Sequence, residues 1–119
     1  MTRSNMITAL CFMLVIGAFS LASAQARTLT QAEIQREMLN KPITTRRFGM
    51  RVSMVYRSNG TVTARALIGT FNGTWKPQGN RVCTTFPSGP AKGTRCVSYT
   101  KIGDNRYRTS DGVTFRVGG

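Results

Sequence analysis

The chain has no histidine and only four carboxylates, Glu33, Glu37, Asp104 and Asp111, among 119 residues. Without imidazole it lacks the side chain that most often moves protons near neutral pH and most often ligates transition metals. Paired-carboxylate hydrolysis and hard-metal binding both need convergent acids, and here the acids are dispersed. Two fall in one helical stretch, where Glu33 is placed to cap, and two fall in tight turns, where Asp is a usual turn residue. A serine or threonine nucleophile would have only lysine as its base. No Walker-type glycine loop is present: Gly69-Thr70-Phe71-Asn72-Gly73 has glycines but neither the G-K-[ST] nor a following helix. The expectation is a protein that is not an enzyme and carries no metal or organic cofactor.

Cysteine is scarce as well, with three in the chain. Cys11 falls in the apolar run Ile7 to Leu21, which follows Arg3 and precedes the small-x-small sites Ala22-Ser23-Ala24 and Ala24-Gln25-Ala26. That arrangement reads as a signal peptide over residues 1–24, cleaved after Ala24 or Ala26. The run is short of the ~20 apolar residues that span a bilayer, so no transmembrane segment is expected after cleavage. The mature chain is then one small domain in an oxidising, periplasmic or secreted compartment. Cys83 and Cys96 remain as a pair and are expected to form a disulfide; neither a C-x-x-C spacing nor a histidine favours redox or zinc chemistry.

Residues 27–42 read as an N-terminal helix segment. Thr30 and Glu33 have the capping-box spacing, Leu29 and Ile34 the hydrophobic-staple spacing, and Asn40 and Pro42 end it. From 43 to 119 the period changes to two. Met50, Val52, Met54 and Tyr56 alternate with Arg51, Ser53, Val55 and Arg57. Val62, Ala64, Ala66 and Ile68 alternate with Thr61, Thr63, Arg65 and Leu67, and Val113, Phe115 and Val117 alternate with Thr114 and Arg116. Turn signals punctuate these runs, among them Ser58-Asn59-Gly60, Asn72-Gly73, the stretch Pro87 to Gly93, and Ser110-Asp111-Gly112. The pattern predicts a mainly β fold: an antiparallel meander of six to eight short strands forming a small barrel or bent sheet, with one short helix and one disulfide.

Two stretches echo each other, "YRSNGTVTARA" (56–66) and "YRTSDGVTFRV" (107–117). A three-residue loop with a left-handed glycine at its end explains both. It pairs Tyr56 with Val62, Met54 with Ala64 and Ser53 with Arg65; it pairs Tyr107 with Phe115, Thr109 with Val113 and Arg108 with Thr114. A two-residue loop at Asn59-Gly60 would mix the faces. The echo is therefore one hairpin solution used twice, with tyrosine inward and arginine outward.

Charge of one sign is abundant: 17 Lys and Arg give a formal +13, and losing Arg3 with the leader removes one unit. A small surface with this excess attracts anions such as lipopolysaccharide, anionic lipid or an acidic protein. The outward candidates are Arg51, Arg57, Arg65, Lys76, Arg81, Arg106, Arg108 and Arg116. Guanidinium groups sharing one face would grip phosphates or carboxylates. Nucleic acid is disfavoured, because alternation turns Tyr56, Phe71, Trp75 and Phe115 inward and leaves few rings for stacking. The leading expectation is a non-catalytic β-domain that binds an anionic envelope component; the alternative is a protein-binding module acting as inhibitor or accessory of an envelope enzyme.

From Gly69 to Val117 the chain resembles small secreted bacterial β-proteins of largely unknown function with a G-x-W…C…C…D-G pattern, here Gly73-Thr74-Trp75, Cys83, Cys96 and Asp111-Gly112. The resemblance implies an envelope or secreted protein and points to no activity.

Overall fold

Alternation of inward and outward residues carries most of the chain into antiparallel strands. A computed structural model describes residues 27–118, so the expected signal peptide over residues 1–24 and its expected cleavage sites lie outside the described residues. The strands are β1 (Pro42–Arg47), β2 (Met50–Tyr56), β3 (Thr61–Ala66), β4 (Gly69–Gln78), β5 (Arg81–Phe86), β6 (Gly93–Val97), β7 (Tyr99–Gly103), β8 (Arg106–Thr109) and β9 (Thr114–Val117). They form one nine-stranded sheet in the order β6-β5-β4-β3-β2-β1-β9-β8-β7. The expected six to eight strands fall short for two physical reasons. β1 turns only Ile43 and Thr45 firmly inward and ends in Arg46 and Arg47, so its apolar period is faint. β6 and β7 are one run of chain broken by a corner at Ser98.

That corner nearly closes the sheet into a barrel, because the two edge strands are consecutive in the chain. At the corner the β7–β8 pairing runs on by one rung: the Ser110 amide donates to the Ser98 carbonyl at 2.9 Å, and the Ser98 amide donates to the Ser110 hydroxyl at 3.1 Å. Beyond the corner, the free edge of β7 takes the incoming N-terminal segment. Thr28 bridges Thr100, and the Leu29 amide donates to the Tyr99 carbonyl at 2.8 Å.

Both echoed hairpins fold in the expected register, with Tyr56 opposite Val62 and Tyr107 opposite Phe115. In each loop the glycine amide returns to the strand, Gly60 to the Arg57 carbonyl at 3.0 Å and Gly112 to the Thr109 carbonyl at 2.9 Å. Gly60 at φ 89° and Gly112 at φ 92° occupy the left-handed region that the loop requires.

The helix α1 (Gln31–Met38) stops one end of the barrel. Its capping box forms as expected, with Thr30 and Glu33 exchanging side-chain-to-backbone bonds. Ile34 and Met38, one turn apart, are both buried, and they lie over Tyr56, Trp75, Val82 and Tyr99. Polar bonds hold the helix there. The Gln31 side chain donates to the Gly79 and Arg81 carbonyls at 2.8 and 3.0 Å in the β4–β5 turn. Glu37 accepts from the Tyr107 hydroxyl at 2.5 Å and from Lys101 Nζ at 3.2 Å. The Tyr107 hydroxyl bond, helped by Lys101, holds the Glu37 carboxyl below its ordinary range. No helix among the described residues is long and apolar enough to cross a membrane.

Cys83 and Cys96 stand directly opposite each other on β5 and β6 and are bridged. The bond ties the last strand before the corner to the rest of the sheet. Replacing both cysteines by alanine is expected to lower unfolding stability by about 3 kcal/mol, from the loop entropy returned to the unfolded chain. A urea melt with and without reductant reads this directly: wild type under reductant should match the double variant, and an unshifted midpoint would contradict the role given to the bridge.

Candidate functional site

On the barrel's outer surface, strand register gathers arginines into rows. Arg106 on β8 faces Arg116 on β9, Arg116 faces Thr44 on β1, Thr44 faces Ser53 on β2, and Ser53 faces Arg65 on β3. In the neighbouring row Arg46 faces Arg51. Arg46, Arg51, Arg106 and Arg116 line one shallow depression, floored on either side by Thr44 and Thr114. All four are exposed.

Two directly opposed Arg–Arg pairs are unfavourable on a sheet face, since like charges at that spacing repel. No ion pair among the described residues engages these four arginines. Among the described residues the ion pairs are Arg27–Glu33, Arg36–Glu37, Lys101–Glu37 and Arg95–Asp111. Three of the four carboxylates are thereby occupied elsewhere, and the fourth, Asp104, makes no ion pair among the described residues. The depression is lined by planar, always-charged donors.

Of the candidates read from sequence, the structure brings together Arg51, Arg106 and Arg116, with Arg65 ending the row and Arg108 opposite Thr114 beside it. Arg46 joins them and was missed, because β1 hardly alternates. Arg57, Lys76 and Arg81 stand apart. The half-buried Arg57 donates to Thr63 Oγ1 at 2.9 Å, and its carbonyl accepts the Trp75 indole at 2.7 Å, so it serves the hairpin. Lys76 and Arg81 lie beyond β3, on β4 and β5, and Arg81 bonds the Cys96 carbonyl at 3.1 Å.

A second arginine missed in the sequence, Arg95, points inward. Trp75 faces Thr84 and Thr84 faces Arg95, so all three lie on the core side. The disulfide carried the clue: pairing Cys83 with Cys96 fixes the register that puts Arg95 opposite Thr84. Its guanidinium meets the Asp111 carboxylate through both Nε and Nη2, and Nη2 also reaches Thr109 Oγ1 at 3.3 Å. The Arg95 bond, reinforced by the Thr109 hydroxyl, holds the Asp111 carboxyl far below its ordinary range. Asp111 is thus more than a turn residue. It clamps the β8–β9 turn to β6 across the seam of the barrel.

Catalytic groupings are sparse. Among the described residues no three His, Cys, Asp or Glu side chains come together as a metal site. Ser98 and Lys101 do stand at the Ser-x-x-Lys spacing, which sequence reading overlooked. That spacing aligns side chains on a helix, whereas here it runs along a strand from the Ser98 corner, and Lys101 Nζ is engaged by Glu37. Comparison with family models, curated proteins and solved structures finds no match.

The seam clamp has a pH signature. A carboxyl whose folded pKa is depressed stabilises the fold fully above its unfolded pKa, near 3.9 for Asp, and loses that contribution as pH falls below it. Asp111→Asn should cost about 1 kcal/mol at pH 7, because both partners of the pair are over a third exposed. The gap between wild type and variant should narrow as pH drops through about 4. Chemical denaturation at pH 7 and pH 3 checks this; a gap that stays constant would remove the clamp from the account.

Proposed function

We propose that the protein is a non-catalytic binding domain whose outer arginine face holds an anionic envelope component through its phosphate or carboxylate groups. The observation that carries this reading is the convergence of Arg46, Arg51, Arg106 and Arg116 on one depression without a carboxylate among them. Guanidinium groups form paired, charge-assisted hydrogen bonds to such oxyanions, and a ligand that neutralises opposed arginines also relieves their mutual repulsion. The Cys83–Cys96 bridge supports an oxidising compartment, periplasmic or secreted. The aromatic side chains support a lipid or polysaccharide anion over nucleic acid: Tyr56, Trp75, Tyr99, Tyr107 and Phe115 are all buried, which leaves Phe48 as the exposed ring among the described residues, too little for a stacking platform.

Net charge and a built site predict different behaviour. A variant with Arg46, Arg51, Arg106 and Arg116 all replaced by glutamine is compared with one in which Arg36, Lys76, Arg81 and Lys92 are replaced, which loses the same charge from other places. Affinity for lipopolysaccharide or heparin at physiological salt should fall at least tenfold in the first and about twofold in the second. Equal losses would mean that overall charge, rather than this face, governs binding.

A further inference from the structure

The two ends of the barrel are built differently. At the end stopped by α1, inward residues are large and packed: Tyr56, Trp75, Tyr99 and Tyr107 are all at most 9% exposed. At the other end lie the β1–β2 and β3–β4 turns and the β5–β6 loop, and there the interior is underfilled. Its inward residues are Met50, Val52, Met54, Ala64, Ala66 and Phe71, which line an apolar cavity of about 100 Å³ open at the mouth. Val52, Met54 and Phe71 remain only half-buried although they face inward. Apolar cavities of about 150 Å³ take up a benzene-sized group, and flexible methionines at the wall let such a space lengthen.

The mouth itself is unusual. Phe48, Leu67 and Ile68, the exposed large apolar residues among the described residues, are 61%, 93% and 58% exposed and sit on the two turns at its rim. Phe48 and Gly49 form the two-residue β1–β2 loop with φ values of 54° and 74°. Loops of this kind favour Asn-Gly, and a bulky aromatic at positive φ is strained. Strain kept at an exposed position where a common residue would relieve it motivates a search for a role of the Phe48 ring. The Arg47 guanidinium lies over the Phe48 ring, 5.4 Å from its centroid, and makes no ion pair among the described residues. The charge deeper in the cavity, on Arg95, is already matched by Asp111. Free positive charge is therefore at the rim and apolar surface is inside.

We propose that this end of the barrel takes the alkyl tail of a single-chain anionic amphiphile, a fatty-acid-like molecule, with its anionic head at Arg47 and its tail between Met50, Met54, Ala64 and Ala66. The site is separate from the outer arginine face and stands without it. The neutral floor excludes the head from the interior, and the rim cation fixes the direction of insertion. Phe48 is a positioning residue that forms one wall of the mouth and carries Arg47 over it.

The test uses the folded mature chain and a neutral fluorescent reporter, N-phenyl-1-naphthylamine, displaced by monomeric hexanoate, octanoate, decanoate and dodecanoate below their micellar concentrations. Displacement should saturate at one molecule per chain. Affinity should rise about fourfold per methylene until the cavity is full and then level off. Decanoate should bind about tenfold better than decanol, and Arg47→Gln should erase that preference. Ala66→Phe, which fills the mouth, should weaken uptake at least tenfold. Phe48→Asn should weaken it several-fold while the melting temperature stays level or rises, which separates loss of the wall from loss of the fold. The variant lacking Arg46, Arg51, Arg106 and Arg116 should still take up the reporter, so failure here and failure of the outer face are read apart. Absence of saturable uptake overturns the proposal. So does co-sedimentation with phosphatidylglycerol vesicles without monomer uptake, which would make the rim a bilayer-docking surface. Concentration-dependent dimerisation abolished by Phe48→Asn, again without uptake, overturns it in favour of a second copy.

Discussion

Closure of the sheet at Ser98 is the constraint on which the rest of the structure depends. An open nine-stranded sheet would leave β6 and β7 as free edges and would bury neither face fully. Because one bent run of chain supplies both edges, a few local bonds suffice at the corner: the Ser98–Ser110 exchange, the Arg95–Asp111 pair and the Thr28–Leu29 segment laid along β7. Only after closure do an inside and an outside exist. The disulfide acts on the same feature from the other side, by holding β6 to β5 immediately before the bend.

Closure also explains why the helix matters despite its eight residues. A barrel of short strands has two open ends, and α1 stops one with Ile34 and Met38 while spending its polar residues on turn carbonyls and on Tyr107. That end holds buried aromatic residues together with the hydrogen bonds of Glu37 and Gln31. The opposite end can then remain loosely filled without unfolding the domain, an arrangement expected where binding regions draw on the less stable part of a fold.

Much of this was legible in the sequence where a single local rule governs. The capping box, the three-residue loops with their glycines, and the pairing of Tyr56 with Val62 and of Tyr107 with Phe115 follow from spacing alone. What escaped was set by neighbours distant in sequence. β1 is a strand because β2 and β9 flank it; its own residues, Thr44-Thr45-Arg46-Arg47, alternate too weakly to say so. Arg95 resembles any other surface arginine until the cross-strand position of Cys83 turns it inward, toward an aspartate from another turn. The clustering of Arg46 and Arg51 with Arg106 and Arg116 likewise needs the β1–β9 contact, which joins the first strand to the last. Residue types could nominate these groups, and only topology could gather them.

The β1–β2 hairpin links the two binding surfaces proposed for the molecule. Side chains alternate along a strand, so Arg46 and Arg51 face outward into the arginine depression while Arg47, Met50 and Val52 line the mouth and interior. A slip of one residue in this hairpin would exchange the two sets, placing arginines in the apolar cavity and methionines among exposed cations. The two-residue Phe48-Gly49 loop fixes that register, and it does so with a strained aromatic rather than the asparagine that fits the geometry better. Register alone would be served as well by Asn-Gly. What phenylalanine adds beyond register is its ring at the mouth, over which the Arg47 guanidinium lies.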